Sequence, residues 1–496
     1  MQREDRRATG LRIEKDRREW TCEQLKHGTY QRVAKETEDA LWAYYWAARW
    51  GERPREPSLL RSTGSWVRSP HPTERRLPRE SRLPGARWLA SVRASARQAR
   101  QLMDSVPASS AATSPPFTRK NPFIAALIRH EPLTRPGSGK DTRHFVVSLA
   151  DSGLTYTPGD SLGIFARNPP QIVDEVLALL RLDPDAPVKD PKSEGSVSFR
   201  HALEHHFILN RASKKIMSGL AEHIPQGEQR NHLMEIVDNG TLLSEFVETR
   251  DYVDILREFD EAHFTTPAEF LSQLSPIPPR LYSIASSLAA HPGEVHLCVA
   301  IVRYETHGRK KSGLATGFLA DHAQLNRPEI PVYVQESKSF RLPADGTRDI
   351  IMVGPGTGIA PFRAFLEQRA LDGATGRNWL FFGEQRRATD FLYGDEFLAS
   401  LKQGRLHRLD LAFSRDQAHK IYVQHRMKEQ AKDLWAWLQG GAFFYVCGDA
   451  HRMAKDVHQA LIDIAREQGG LSPEAAAEYV NVTLMRTERR YLRDVY

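Results

Sequence analysis

Two stretches carry residue types and spacings suited to phosphate chemistry. In the first, Ile350 to Val353 is a short apolar run without polar alternation, as in a strand buried on both faces. Gly354-Pro355-Gly356-Thr357-Gly358 follows, and its three glycines let the backbone turn sharply with no side chain above it. Pro361 suits the first helical position, where its missing N–H is not needed, and Phe362, Phe365 and Leu366 recur at helical spacing behind it. A strand, a glycine turn and a helix start aim free N–H groups and the helix dipole at one point. A dinucleotide pyrophosphate would sit there, over Gly356 and Thr357. An ordinary strand-to-helix turn carries the same signature. In the second stretch, Ser414, Arg415, Lys420, Tyr422 and Gln424 follow a strand ending at Phe413. Two cations and three hydroxyl or amide groups suit a 2′-phosphate dianion, where NAD enzymes place an acidic residue. A solvated basic turn is the plain alternative.

The elements that must position these residues follow a consistent order. After Leu342, strands and helices alternate at 350–353, 361–370, 379–382, 394–403, 408–413, 424–439, 443–447 and 451–467. That pattern predicts an α/β half with a doubly wound parallel sheet, at 346–496. Before it, RHFVVSL (143–149) alternates as a strand, and the turn at Tyr156 to Gly163 leads into another. Helical spacing occupies 170–182 and 195–209 and continues in patches to about Leu274. Strand signals then return in RLYSIASS (280–287), EVHLCVAIVRY (294–304) and PVYVQE (331–336). The order predicts an α+β half at 117–345, a β domain interrupted by a helical insertion at about 168–275.

Composition narrows the function classes. At 496 residues with 40% hydrophobic and 26% charged content, most of the chain is expected to fold as soluble globular domains. Cys22, Cys298 and Cys447 are far apart, which argues against a disulfide framework or zinc site and fits a reducing, cytoplasmic compartment. His201 and His205, with His206 beside them, could share a helix face, but no HExxH or partner carboxylate accompanies them, so no metal is expected. The apolar run from Ala40 to Ala48 is too short to span a bilayer, and no signal-peptide pattern opens the chain. The net charge of +7 is unevenly placed. Residues 1–118 hold 23 Lys and Arg against 14 Asp and Glu, which leaves 46 against 48 in the rest. Basicity therefore belongs to one end, not to a binding face of the body. Residues 1–116 remain unassigned: they hold 20 of the arginines, three lysines and six of nine tryptophans. Helical spacing covers roughly 21–50 and 88–103, with a Pro-, Arg- and Ser-rich stretch of disordered character between, and Pro107 to Pro116 is a small-residue linker. Interleaved Arg and aromatics leave an RNA-binding tail open there, though a plain extension is preferred and no nucleic acid partner is expected.

Eight motifs in order resemble the ferredoxin–NADP reductase superfamily, in its diflavin branch, and within it the flavoprotein (alpha) subunits of NADPH-dependent sulfite reductases. They are RLYSIASS (280–287), GLATGFLAD (313–321), GPGTGIAPFRAF (354–365), FFGEQ (381–385), SRDQ (414–417), KIYVQ (420–424), YVCGD (445–449) and RRYLRDVY (489–496). The resemblance covers about residues 117–496 and implies an antiparallel β-barrel holding FAD, with the helical insertion as that branch's connecting domain, followed by an NADP domain. By resemblance, Arg280, Leu281, Tyr282 and Ser283 hold FAD, with the Arg fork on its pyrophosphate and Ser283 near the central-ring nitrogen. Cys298, Val299, Ala300 and Tyr304 line the isoalloxazine and adenine ends, and Cys298 stands where relatives commonly carry Thr. Gly313, Leu314, Ala315 and Thr316 receive FAD phosphates at a helix start. Relatives place a Thr just after the His-Phe pair of the insertion, and here Asn210 sits nearby, which leaves that contact unassigned. Without the resemblance, RLYS reads equally as a plain strand with an exposed arginine.

On the nucleotide side the resemblance assigns Gly356, Thr357, Ser414, Arg415, Lys420, Ile421, Tyr422, Val423, Gln424 and Asp456 to NADPH. Ser283, Cys447, Asp494 and Tyr496 form the implied reaction centre. Hydride passes from nicotinamide to flavin, Asp494 stabilises the pyridinium and Ser283 the incoming electron density, while Cys447 positions the ring. The Tyr496 ring stacks on the flavin and steps aside for nicotinamide. The implied enzyme is an NADPH-dependent flavoprotein reductase, in assimilatory sulfite reduction. Relatives carry FMN on a flavodoxin-like domain that is not recognisable here, so FMN is not expected in this chain. Electrons would leave FAD for a haemoprotein subunit, flavodoxin or ferredoxin, or a truncated or mis-started chain would show only diaphorase activity. A nucleic-acid-binding protein using the Arg-rich segment is the alternative from another class.

Overall fold

The computed structural model describes residues 117–496, so the expectations for residues 1–116 lie outside the described residues. In chain order the strands are β1 (Phe123–Pro132), β2 (Thr142–Ser148), β3 (Ser161–Ile164), β4 (Pro187–Lys189), β5 (Ser196–Ser198), β6 (Arg280–Ser283), β7 (Glu294–Ala300), β8 (Arg303–Thr306), β9 (Arg309–Ser312) and β10 (Pro328–Gln335). They continue with β11 (Ile350–Val353), β12 (Asn378–Glu384), β13 (Arg408–Phe413), β14 (Phe443–Gly448) and β15 (Tyr491–Val495).

Six strands form an antiparallel sheet in the order β6-β3-β10-β1-β2-β7. Its two edges meet where Ile284 bridges Leu297 and the Ala285 N–H donates to the His296 carbonyl at 2.8 Å. The sheet is thus a closed barrel, with no exposed strand edge at that seam. A bulge between Leu127 and Arg129 bends β1, letting it pair with β10 at one end and β2 at the other. Alternation sends Phe145, Val147, Leu162, Ile164, Leu297 and Val332 into one buried core.

Helices fill the chain between β3 and β6, from Pro170–Leu180 to Pro267–Ser272, around a separate core that includes Phe199, Tyr252 and Phe270. The expected helix at 195–209 is shorter. It starts as β5, and only Phe199–His205 is helical, because the Ser198 side chain accepts the His201 N–H and caps it there. The β4–β5 hairpin also supplies the carboxylate missing from the sequence around the histidines: Asp190 Oδ1 lies 3.5 Å from His206 Nε2.

The second half is a five-stranded parallel sheet in the order β13-β12-β11-β14-β15. Counting from β11, this is 3-2-1-4-5, and the order reverses between β11 and β14. The unbroken apolar run of β11 has the predicted cause. Ile351 and Val353 face one core with Trp379 and Phe444, while Ile350 and Met352 face another with Phe362 and Leu380. The predicted helix 424–439 divides at Gln430 into Val423–Glu429 and Ala431–Gln439, and the predicted strand 294–304 divides into β7 and β8.

A buried polar seam joins barrel and sheet. Arg363, on the helix after β11, donates to the Ala285 carbonyl at 2.7 Å from Nη1 and to Glu396 at 2.7 Å from Nε. Glu367 accepts the Ser287 N–H at 2.8 Å and lies 3.2 Å from His291 Nε2. His144 Nδ1 meets the Tyr393 hydroxyl at 2.8 Å. These bonds satisfy groups that would be costly to bury alone, and they hold the two halves in register.

Candidate functional site

Two cavities open along this seam. The first, of about 610 Å³, lies against the barrel and is walled by residues 280–283 of β6, 298–300 of β7, 313–316 and 210–213. The turn is tight at Gly313, where a Cβ would stand 2.8 Å from Thr316 Oγ1 and 3.1 Å from Val302 Cβ. Past it runs a continuous helical segment, Leu314–Gly317 and then Phe318–His322, whose first amides have no intrahelical acceptor. Thr316 Oγ1 donates to the Gly313 carbonyl and accepts the Val302 N–H, both at 3.3 Å, which steadies the turn. Aromatic and aliphatic walls (Tyr282, Val299, Leu314), an exposed Arg280 fork and helix-start amides form the donor set that a flavin dinucleotide requires. Burial pushes the Tyr282 hydroxyl up to about 12, and Cys298, fully enclosed, likewise to about 12.

The second cavity, of about 680 Å³, lies over the carboxyl ends of the parallel strands, at the reversal of strand order. Gly356 has φ +58°, the left-handed region, and a Cβ on Gly358 would stand 2.1 Å from the Cys447 carbonyl. The loop therefore lies flat on the end of β14, with Gly356–Ile359 forming a short 3₁₀ turn into helix Ala360–Leu371. Across the cavity, Ser414, Arg415, Lys420, Tyr422, Val423 and Gln424 line one wall. The Arg415 N–H donates to the Gln385 carbonyl at 2.8 Å, and Gln424 Nε2 to Asp456 Oδ2 at 3.1 Å. Asp449, ending YVCGD, accepts the Arg452 and Met453 N–H groups at 2.8 and 3.0 Å. The Met453 and Arg452 amides hold its carboxyl below the usual carboxylate range.

The cavities meet at Ala300, Thr357 and Tyr496, which line both. The Tyr496 hydroxyl is 2.9 Å from Thr357 Oγ1, and its backbone is tied down by Ala450 N–H to Tyr496 O at 3.0 Å and Tyr496 N–H to Gly448 O at 3.1 Å. The residue as a whole is 58% exposed, while its hydroxyl end is enclosed, and that burial raises the phenol well above its usual range. Beside it, Ser283 Oγ donates to Asp494 Oδ2 at 2.7 Å, bridging barrel and sheet, and Cys447 Sγ lies 3.7 Å from the same oxygen. Burial first, then the Asp494 charge, pushes the Cys447 thiol well up, so it stays protonated.

Most residues singled out from the sequence line one cavity or the other. Four do not: Tyr304 is exposed on the β8–β9 hairpin, Ile421 packs against the buried face of the sheet, and Cys447 and Asp494 lie beside Ser283 without lining either cavity. Asn210 does lie in the first cavity's wall, with Arg211, Ala212 and Ser213. Lys140, Glu384 and Arg452 line the second and were not foreseen. Only Glu384 fell inside a motif noticed beforehand, FFGEQ.

Two family models match parts of the chain. Residues 115–318 match the family described as FAD binding domain, and residues 352–459 match the oxidoreductase NAD-binding domain. The chain is similar to the sulfite reductase [NADPH] flavoprotein alpha-components of Photorhabdus laumondii and Cronobacter sakazakii. It is 45% identical to them over 380 and 383 residues, which is 77% of this chain and 62% of each relative. The alpha-component of Vibrio cholerae is also 45% identical over 380 residues, covering 60% of its length. The chain thus spans about three fifths of the length of the curated relatives it matches. The resemblance read from the motifs stands, as does the mixed fold, barrel first and parallel sheet second.

Proposed function

We propose that the chain is the NADPH-oxidising, FAD-binding portion of a flavoprotein reductase that delivers electrons to a separate acceptor, the role carried in the relatives' name by the flavoprotein component of sulfite reductase. The barrel with its helical insertion, 117–345, takes FAD, and 346–496 takes NADPH. The carrying observation is the shared wall: Tyr496, Thr357 and Ala300 belong to both cavities, so ligands in the two can touch only there.

When bound, FAD supplies a ring that accepts an electron pair from nicotinamide and releases electrons singly. The chain's own residues do the rest. Arg280 and the amides of Leu314–Thr316 bind the FAD pyrophosphate, while Tyr282 and Val299 orient the ring and exclude water. Gly356 and Thr357 seat the nucleotide's pyrophosphate. Arg415 and Lys420, with the Ser414 and Tyr422 hydroxyls, grip its 2′-phosphate, and Asp456 holds the Gln424 amide in position. Asp494, fixed by the Ser283 proton, offers a carboxylate to the positive charge that develops on a pyridine ring at the shared wall. Cys447, kept as a thiol, positions that ring without forming a bond. The Tyr496 ring fills the nicotinamide place until nucleotide displaces it.

A haemoprotein subunit is the expected acceptor, and flavodoxin or ferredoxin would serve the same chemistry. The buried unpaired thiols Cys298 and Cys447 suit a reducing compartment such as the cytoplasm, and among the described residues no helix is long and apolar enough to cross a membrane. The test is direct. Purified protein should be yellow, release FAD on denaturation and reduce ferricyanide with NADPH in strong preference to NADH. Colourless protein that binds neither FAD nor NADP⁺ would overturn the reading.

A further inference from the structure

The cavity assigned to NADPH contains a carboxylate where phosphates must settle. Glu384 ends β12 with its side chain only 4% exposed, and Oε1 lies 3.4 Å from where a Cβ on Gly356 would stand. Its Oε2 accepts the Gln385 N–H at 2.7 Å, which pins the group in place. An uncompensated carboxylate beside the loop would repel a pyrophosphate and weaken its binding about tenfold, or ~1.4 kcal/mol.

The counter-ion comes from the other half of the molecule. Lys140, in the turn between β1 and β2 and 244 residues from Glu384 in sequence, ion-pairs with Glu384 Oε1 through Nζ. That turn is strapped to the sheet half: the Arg135 N–H donates to the Thr389 carbonyl at 2.8 Å, and Ser138 Oγ donates to the buried Asp390 carboxylate. Ser138 Oγ also accepts the Lys140 N–H at 2.9 Å, so the strap and the cation share one anchor. Lys140 and Glu384 both line the cavity, and Lys140 stays 39% exposed toward it.

We propose that Lys140 is a positioning residue for the pyridine nucleotide, supplied across the boundary between the halves. It cancels Glu384 and thereby sets the potential over the phosphate loop, so nucleotide affinity depends on the two halves being docked. This rests on reading the second cavity as the NADPH site, and the experiment separates the two claims. Binding of NADP⁺ and of 2′-AMP, which lacks the pyrophosphate, is measured by calorimetry on the full FAD-loaded chain and its variants. Lys140→Ala should weaken NADP⁺ about tenfold and leave 2′-AMP within about twofold, which also shows that the variant is folded. Lys140→Arg should restore the affinity. In a Glu384→Gln background the Lys140→Ala loss should shrink to about twofold or less, because no carboxylate remains to be cancelled. An equal loss in both backgrounds, or no loss in either, overturns the role of Lys140 while leaving the NADPH site intact. Failure of the unaltered chain to bind either ligand overturns the site and the inference together.

Discussion

The two cavities are similar in size but built on opposite plans. The barrel cavity has aromatic and aliphatic walls, a glycine at a tight turn, and polar groups that are mostly short or neutral, with Arg280 and Arg211 its cations. The sheet cavity is rimmed by flexible, charged side chains, Arg415, Lys420, Arg452 and Asp456, most of them open to solvent. The first plan suits a group that enters once and stays. The second suits one that arrives by charge attraction and leaves after each turnover. Tyr496 stands between them, hydrogen-bonded but exposed, in a position to leave one cavity and free the other.

Four expected outcomes sharpen or break that contrast, the largest first. Asp494→Ala removes the carboxylate that Ser283 holds near the shared wall, and ferricyanide reduction with NADPH should fall at least about a hundredfold while the FAD content is kept. Stopped-flow kinetics and the flavin spectrum check it, and loss of FAD instead would place Asp494 in the barrel cavity's own construction. Arg415→Ala should lower the preference for NADPH over NADH by roughly tenfold or more without touching FAD, read from kcat/KM for the two nucleotides. Tyr496→Ala should tighten NADP⁺ by up to about tenfold, the worth of a displaced aromatic stack, and weaken discrimination against NADH. Unchanged affinity and selectivity would remove Tyr496 from its role as a movable divider.

The smallest effect concerns the seam. Burial, before the neighbouring charges, holds His144 at about 3 and His296 at about 2. An unfolded chain takes up both protons near pH 6.5, and the folded one does not. The seam therefore contributes in full above about pH 6.5 and weakens as the pH falls toward 3, by at most about 1.4 kcal/mol per pH unit for each ring. Thermal melts between pH 7 and 5 should show the decline, and His144→Phe should roughly halve its slope, His296 keeping the rest.

Much of the fold was legible because its cause is local. β11 and β13 match their predicted spans, since an apolar run and a run ending in Phe413 need no distant partner to declare themselves. β1 and β15 went unforeseen: Ile128, Arg129 and His130, or Leu492, Arg493 and Asp494, mix charge with apolar residues, and only pairing with β2, β10 or β14 makes them strands. In the site, the residues within one motif could be read together. The Lys140–Glu384 pair could not, because neither residue's spacing to its neighbours betrays a partner in the other half. The same holds for Asn210 to Ser213, whose place in the barrel cavity depends on how the helical insertion folds back over it.

Asp494 and Tyr496 are both carried by, or just beyond, β15, an edge strand of the parallel sheet whose only strand partner is β14. An outermost ribbon is the first part of a sheet to peel away on warming. Heat should therefore abolish turnover while the flavin remains enclosed and most of the secondary structure persists. Gentle cooling should bring the activity back as those few residues zip up again.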